Sequence, residues 1–318
     1  METNRLTWGL IIITLMGFLS SCKDFIEPSI SGSKVTLEAP GNKYQSTSYT
    51  VNFWWDQVDN ALTYRLQVVS PRFDSVGVLV MDTVVKKNTF VLTMNPGNYQ
   101  WRVRAENGSS QTPYSDPYSF SVLYSSIKQQ NVLLTSPASG FLTNLNSVTL
   151  QWTSLYGATK YQLEIDTNNF VNESAVILNQ VYPGLQVNYT FPKDQTYQWR
   201  VRAENDTAQA KWSAINVITY NHTAPGVVTL VSPTNKQTVS LPVSLQWNSV
   251  AKATKYKLYV LKSDSTTLYN QSFPAVLTTT NYSFNLGTSG DKIYWKVTAV
   301  DAFGNEGLPS TLRSFSLQ

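Results

Sequence analysis

One cysteine and one histidine in 318 residues remove several chemistries at once. A lone cysteine, Cys22, cannot form a disulfide within the chain. No Cys/His cluster exists to hold zinc, and the one histidine, His222, lies in the second linker beside Pro225 with no nucleophile–base pair to build from it. Charged residues make up only 14% of the chain, and the formal net charge of +4 is spread thinly. No basic run is available to track a phosphate backbone, so nucleic acid is not an expected partner. Glycine-rich phosphate loops are missing. The acidic residues are scattered, with no carboxylate pair whose spacing argues for hydrolysis. A non-enzyme without a cofactor is expected.

Long apolar runs are also scarce. The longest, residues 6–19 ("LTWGLIIITLMGFL"), falls short of the roughly 20 apolar residues of a comfortable membrane span. With Arg5 before it, it has the form of a signal peptide over residues 1–21. The sequence Leu19-Ser20-Ser21-Cys22 follows and resembles the bacterial lipobox. There, small residues admit the signal peptidase and the cysteine thiol carries the diacylglycerol. That resemblance implies lipid attachment at Cys22 and a membrane held through acyl chains, each buried methylene contributing roughly 0.8 kcal/mol. Lys23-Asp24 and the Ser/Gly/Pro-rich residues up to Lys34 then read as a tether, residues 22–34. A lysine followed by acid after the lipidated cysteine partly resembles a surface-export signal, with one acid directly following. Outer-membrane anchoring is the expectation, and cell-surface exposure the further one.

What the chain has in abundance is aromatic residues, 13% of the total, and β-type repetition. "YQWRVRAEN" occurs twice unchanged, at residues 99–107 and 197–205, with a diverged copy, "IYWKVTAVD", at 293–301. Trp55, Trp152 and Trp247 recur at steps of 97 and 95, and Trp101, Trp199 and Trp295 at steps of 98 and 96. Tyr64, Tyr161 and Tyr256 stand nine residues after Trp55, Trp152 and Trp247. Repeats come before other readings, and here they predict three units of about 95 residues at 35–124, 131–220 and 227–318. Short linkers lie near 125–131 and 221–226.

Each unit predicts an all-β domain. Its strands are short, rich in Val, Thr, Tyr and Trp, alternate in pattern and are separated by Gly/Pro/Asn/Ser turns. A proline ends the first strand, a Trp lies on the second, a Tyr opens the third, and a "Y-x-W-x-V-x-A" strand follows. That arrangement resembles the fibronectin type III domain, an immunoglobulin-like β-sandwich, in all three units. The resemblance implies two antiparallel sheets of roughly seven strands without a disulfide. Ile293 stands where the other copies have Tyr99 and Tyr197, which leaves the third unit without a tyrosine corner.

With period-two alternation, Tyr99, Trp101, Val103 and Ala105 point to the core, with Val51, Phe53 and Trp55 and with Tyr64, Leu66 and Val68. The outward arginines, Arg102 and Arg104, and Arg200 and Arg202, are expected to stack on Tyr114 and Trp212, the aromatic column of the first two copies. Leu308 takes that column in the third copy in a gapless alignment. The alternative is an arginine pair that grips an acidic ligand. Residues 301–306 ("DAFGNE") read as a strand-connecting turn, with oxygens of the type that also hold calcium.

Outward aromatics supply the candidate ligand-binding residues. Trp54 stands where the other copies carry Gln151 and Gln246. Tyr259 and Tyr294 face outward on neighbouring strands of the third unit and are expected to lie side by side. Such rings stack on sugars or serve protein interfaces, and they also stabilise sheets on their own. Two functions follow. One is a non-catalytic binding or adhesion module for a polysaccharide or an envelope protein. The other is a structural spacer or assembly component of an outer-membrane complex.

Overall fold

The computed structural model describes residues 27–318, so the signal peptide and Cys22 lie outside the described residues. The described chain is all-β. In the first repeat the strands are Leu37–Ala39 (β1), Tyr44–Ser46 (β2), Thr50–Trp55 (β3), Thr63–Arg72 (β4), Ser75–Val85 (β5), Thr89–Thr93 (β6), Gly97–Glu106 (β7) and Tyr118–Val122 (β8). The second has Leu134–Ser136 (β9), Phe141–Thr143 (β10), Ser147–Trp152 (β11), Lys160–Asp166 (β12), Leu178–Tyr182 (β13), Gln186–Thr190 (β14), Gln195–Glu204 (β15) and Asn216–Tyr220 (β16). The third has Leu230–Ser232 (β17), Gln237–Val239 (β18), Val243–Trp247 (β19), Ala253–Leu261 (β20), Ala275–Leu277 (β21), Asn281–Phe284 (β22), Lys292–Asp301 (β23) and Arg313–Leu317 (β24).

Sheet order repeats with the sequence. Three-stranded sheets run β1-β3-β6, β9-β11-β14 and β17-β19-β22. Five-stranded sheets run β2-β8-β7-β4-β5, β10-β16-β15-β12-β13 and β18-β24-β23-β20-β21. This is a tandem of immunoglobulin-like, fibronectin type III-like sandwiches. Two features depart from the expected seven antiparallel strands. The first strand of each copy is split in two, and its second half pairs in parallel with the last strand, as in β2–β8, β10–β16 and β18–β24. Pro40, Pro137 and Pro233 explain the split. Proline offers no N–H to the ladder, and a turn follows through Lys43, Gly140 or Lys236, each with φ between 64° and 85°.

The chain forms two compact units. Of the described residues, one takes 27–42 with Phe53–Phe90 and Tyr99–Ser119; the other takes Lys43–Asn52, Val91–Asn98 and Phe120–Gln318. In the first unit Phe53 and Trp101 meet edge to face at 5.2 Å, and Trp55 meets Tyr64 at 5.6 Å. Tyr99, Trp101, Val103 and Ala105 are all buried, as are their second-copy equivalents Tyr197, Trp199, Val201 and Ala203. The alternation therefore reads as expected. In the second unit, the third sandwich closes over Leu245, Trp247, Tyr256, Leu258, Trp295, Val297 and Phe315, drawn from both of its sheets. Burying each large aromatic of this kind stabilises by a few kcal/mol and serves where other sandwiches use a disulfide.

Residues 27–34, expected as tether, lie against the first unit. Ile30 is 2% exposed, and its N–H donates to Ser110 Oγ at 2.9 Å. Gly108 N–H donates to Glu27 Oε2 at 2.5 Å, and Lys34 pairs with Asp116 at 2.7 Å. An apolar side chain flanked by small polar residues was enough to dock the segment. In the second unit, the residues of the first linker are equally packed. Gln130, 3% exposed, accepts from Tyr49 N–H at 2.8 Å and donates to Thr47 O and Ser125 Oγ.

Candidate functional site

The duplicated stretch is accounted for residue by residue as scaffold. Tyr197 Oη donates to Lys193 O at 2.8 Å, the tyrosine corner that Ile293 cannot make. Gln100 Oε1 accepts from Phe73 N–H at 3.0 Å. Trp, Val and Ala fill the core, and the closing Asn shapes the turn after the strand. Asn107 Oδ1 accepts from the Ser109 and Ser110 N–H groups, and Asn205 Oδ1 from those of Thr207 and Ala208.

The arginines form the expected cation–π ladder, with a second side that the sequence reading did not contain. The Arg102 guanidinium lies 4.2 Å from the ring centres of both Tyr114 and Phe73, and Arg104 lies 4.9 Å from Tyr114. In the second copy Arg200 sits 4.2 Å from Phe170 and 4.3 Å from Trp212, with Arg202 at 4.6 Å from Trp212. Carboxylates close the ladder. Arg104 pairs with Glu106 at 2.8 Å, Arg202 with Glu204 at 3.0 Å, and Arg200 with the buried Glu164 at 2.7 Å. These arginines are occupied by the protein itself, which leaves an acidic ligand little to grip.

In the third copy the column shifts. Ser115 and Ser213 accept from the N–H groups of Val103 and Val201, twelve residues back, whereas Ser310 accepts from Val297, thirteen back. One extra residue puts Pro309, not Leu308, in the aromatic column. Leu308 is 74% exposed. Glu306 replaces the ladder: it receives Lys257 Nζ at 2.5 Å, Tyr259 Oη at 3.1 Å and Thr298 Oγ1 at 2.6 Å. Burial pushes the Glu306 carboxyl up, but the hydrogen bonds from Lys257, Thr298 and Tyr259 outweigh it and hold the carboxyl below its ordinary value. Asp301 accepts the turn N–H groups of Phe303 and Asn305 and an Nδ2–H of Asn305, so the Asp301 carboxylate of the "DAFGNE" loop is taken up by the turn itself. Among the described residues no group of three His, Cys, Asp or Glu side chains is placed to hold a metal ion.

The candidate aromatics separate into two kinds. Tyr259 sits across from Lys296, and Tyr294 across from Leu261, so the register sets the two tyrosines diagonally rather than side by side. Each is covered by a lysine: Lys296 Nζ is 5.4 Å from the Tyr259 ring and Lys292 Nζ 5.1 Å from that of Tyr294. Both rings are half-buried. Trp54, opposite Ala39 on β3, is 46% exposed, the most exposed tryptophan among the described residues. No ring or cation of the described residues lies against it. A separate open groove of about 470 Å³ on the second sandwich is lined by Phe141, Leu145, Val148 and neutral polar groups, with no ionisable side chain.

No protein-family model matches the sequence, and no curated protein does. Similar solved structures include the chicken CNTN1 FN1–FN3 domains, at 15% identity and a TM-score of 0.41, covering 89% of this chain and 97% of that one. The titin domains A168–A170 match at 14% identity and 0.39, covering 90% and 98%. Fibronectin(III)-like modules of Clostridium thermocellum CbhA match at 13% and 0.37, covering 59% and 94%. At TM-scores this low, the fold assignment rests on the sheet order and the cores described above.

Proposed function

We propose that the chain is a non-catalytic envelope lipoprotein, acylated at Cys22, whose sandwiches hold a polysaccharide or an envelope protein. The observation that carries this reading is Trp54. Its copies in the other sandwiches are glutamines, and 46% of it is open to solvent, more than any other tryptophan of the described residues. A broad ring half open to solvent at one repeat only offers a face on which a sugar ring or a partner's side chain can stack. Tyr259 and Tyr294 stand second, since lysines and Glu306 already engage them. Trp54→Ala and wild-type protein are to be titrated with outer-membrane polysaccharides and followed by tryptophan emission. A wild-type response that vanishes in Trp54→Ala supports the site; an equal response in both removes it.

The packed first linker favours a second reading, a spacer or assembly component. Ile127 and Gln130 are buried there, and Tyr49 Oη donates to Ser125 O at 2.9 Å. A stoichiometric protein recovered with the chain from solubilised outer membranes supports that reading, and retention on polysaccharide supports the first.

A further inference from the structure

The docked segment 27–34 sets how far the first sandwich stands from its anchor. Five residue steps separate Cys22 from Glu27. A chain reaches at most about 3.6 Å per residue, so Glu27 lies within about 18 Å of the cysteine whatever path the chain takes. Glu27 is clasped by the loop after β7: Gly108 N–H donates to its carboxylate, Ser109 Oγ donates to its carbonyl at 2.9 Å, and Asn107 Nδ2 donates to Pro28 O at 2.9 Å. Asn107 Nδ2 also donates to Asn60 O at 3.1 Å, which brings the loop before β4 to the same pole. Behind the clasp, Ile30 and Val35 are 2% and 1% exposed, so the segment is fixed by burial as well as by hydrogen bonds.

We infer that this pole of the first sandwich, residues 59–62 and 107–110, is apposed to the phospholipid headgroup surface. The inference rests on acylation at Cys22. The pole's chemistry fits apposition rather than insertion. Asn60, Asn107, Ser109 and Ser110 are polar and neutral, Leu62 is its exposed apolar side chain at 57%, and Asp59 carries a negative charge. Arg65 and Arg104, which line the groove beside this loop, are paired with Asp82 and Glu106, so the leash and not electrostatics holds the pole at the membrane and the arrangement is insensitive to salt. Loops that serve as recognition tips in many sandwiches are then turned toward lipid. Partner binding falls to the strand faces, where Trp54 lies.

Cys22 is the sole native thiol and is consumed by acylation, so an introduced cysteine can be labelled singly. The full chain, purified from membranes in detergent, is reconstituted in phosphatidylethanolamine/phosphatidylglycerol vesicles that carry a headgroup nitroxide quencher. Bimane is placed at Leu62→Cys, an exposed side chain of the pole that takes no part in the clasp, or at Ser75→Cys. Ser75 lies at the far end of the β4–β5 hairpin, about 30 Å along the strand direction. Loss of most bimane emission at position 62 with emission retained at 75, at low and high salt alike, is the expected result. Glu27→Ala with Ile30→Asp frees the segment to Val35, lengthens the leash to about 47 Å and should restore emission at 62. Flotation of wild type but not of Cys22→Ser is measured first. A chain that does not float sinks the anchoring and the pole together. Flotation with equal emission at 62 and 75 leaves the anchoring in place and overturns the pole alone.

Discussion

Replacing Arg200 by alanine tests the scaffold reading of the duplicated stretch most sharply. Arg200 is held between Phe170 and Trp212, and its guanidinium reaches Glu164 at 2.7 Å and the exposed Glu173 at 3.1 Å. The Glu164 side chain is 5% exposed and the Arg200 side chain 11%, so this is a buried pair. Removing one partner of such a pair leaves an uncompensated carboxylate and costs about 3–5 kcal/mol. Arg102 has the same two stacked rings but meets Gln67 Oε1 instead of a carboxylate. Its loss forfeits the stacking and two hydrogen bonds to a neutral amide but strands no charge, about 1–2 kcal/mol. Because several sandwiches share the chain, one melting curve would blend them, whereas hydrogen exchange read by peptide separates them. Arg200→Ala should speed exchange across Gln195–Glu204 by roughly two to four orders of magnitude. Arg102→Ala should speed it across Gly97–Glu106 by roughly tenfold. Adding Glu164→Gln to Arg200→Ala should recover part of the loss, since a neutral amide is cheaper to leave buried. Less than a tenfold change for Arg200→Ala, or no recovery in the double variant, would refute the buried-pair argument.

Three further outcomes follow from the same geometry. Gln130→Ala, which strands the Tyr49 N–H and Thr47 carbonyl, should destabilise its surroundings by about 1–3 kcal/mol, read as faster exchange over residues 125–131. Gly307→Ala places a Cβ 2.5 Å from Pro225 O, a backbone atom that cannot swing aside, and should cost about 1–3 kcal/mol, read as faster hydrogen exchange across Lys292–Asp301. Asp194 is held at about 2 by the Thr223 hydroxyl and then by His222, which stacks on Tyr220. A depressed folded value contributes stability above the unfolded carboxylate range that fades as pH falls through about 2. Carboxyl NMR should show that midpoint, and Thr223→Val should raise it.

The repeat period, the inward set of each strand and the arginine–aromatic stacking were legible because they recur at fixed spacing. Tyr114 and Trp212 could be found by column. Phe73 and Phe170, the rings on the other side of the ladder, could not, because they come from the turns that follow β4 and β12, where the copies differ in length. Phe170 even adopts φ 58°, held by its N–H to Asp166 Oδ2 at 2.6 Å. The misplaced Leu308 has the same origin. A gapless alignment cannot show a one-residue insertion, which hydrogen bonds from Ser310 reveal at once. Tyr259 and Tyr294 were correctly set facing out, but their pairing depends on strand register, which alternation alone leaves open. Residues 27–34 look like linker by composition, and what makes them part of the domain is the burial of Ile30 with the hydrogen bonds that Glu27 and Pro28 receive. Trp54 was legible as a difference between copies, and its exposure keeps it the leading candidate.

The claim that the shared residues build the scaffold while the differences carry function is tested most directly by one comparison. Retention of wild type, Trp54→Ala and Arg102→Ala on immobilised outer-membrane polysaccharide should be measured side by side. The account predicts that Trp54→Ala loses retention while Arg102→Ala keeps it despite its lower stability. Loss in Arg102→Ala with retention intact in Trp54→Ala would contradict it.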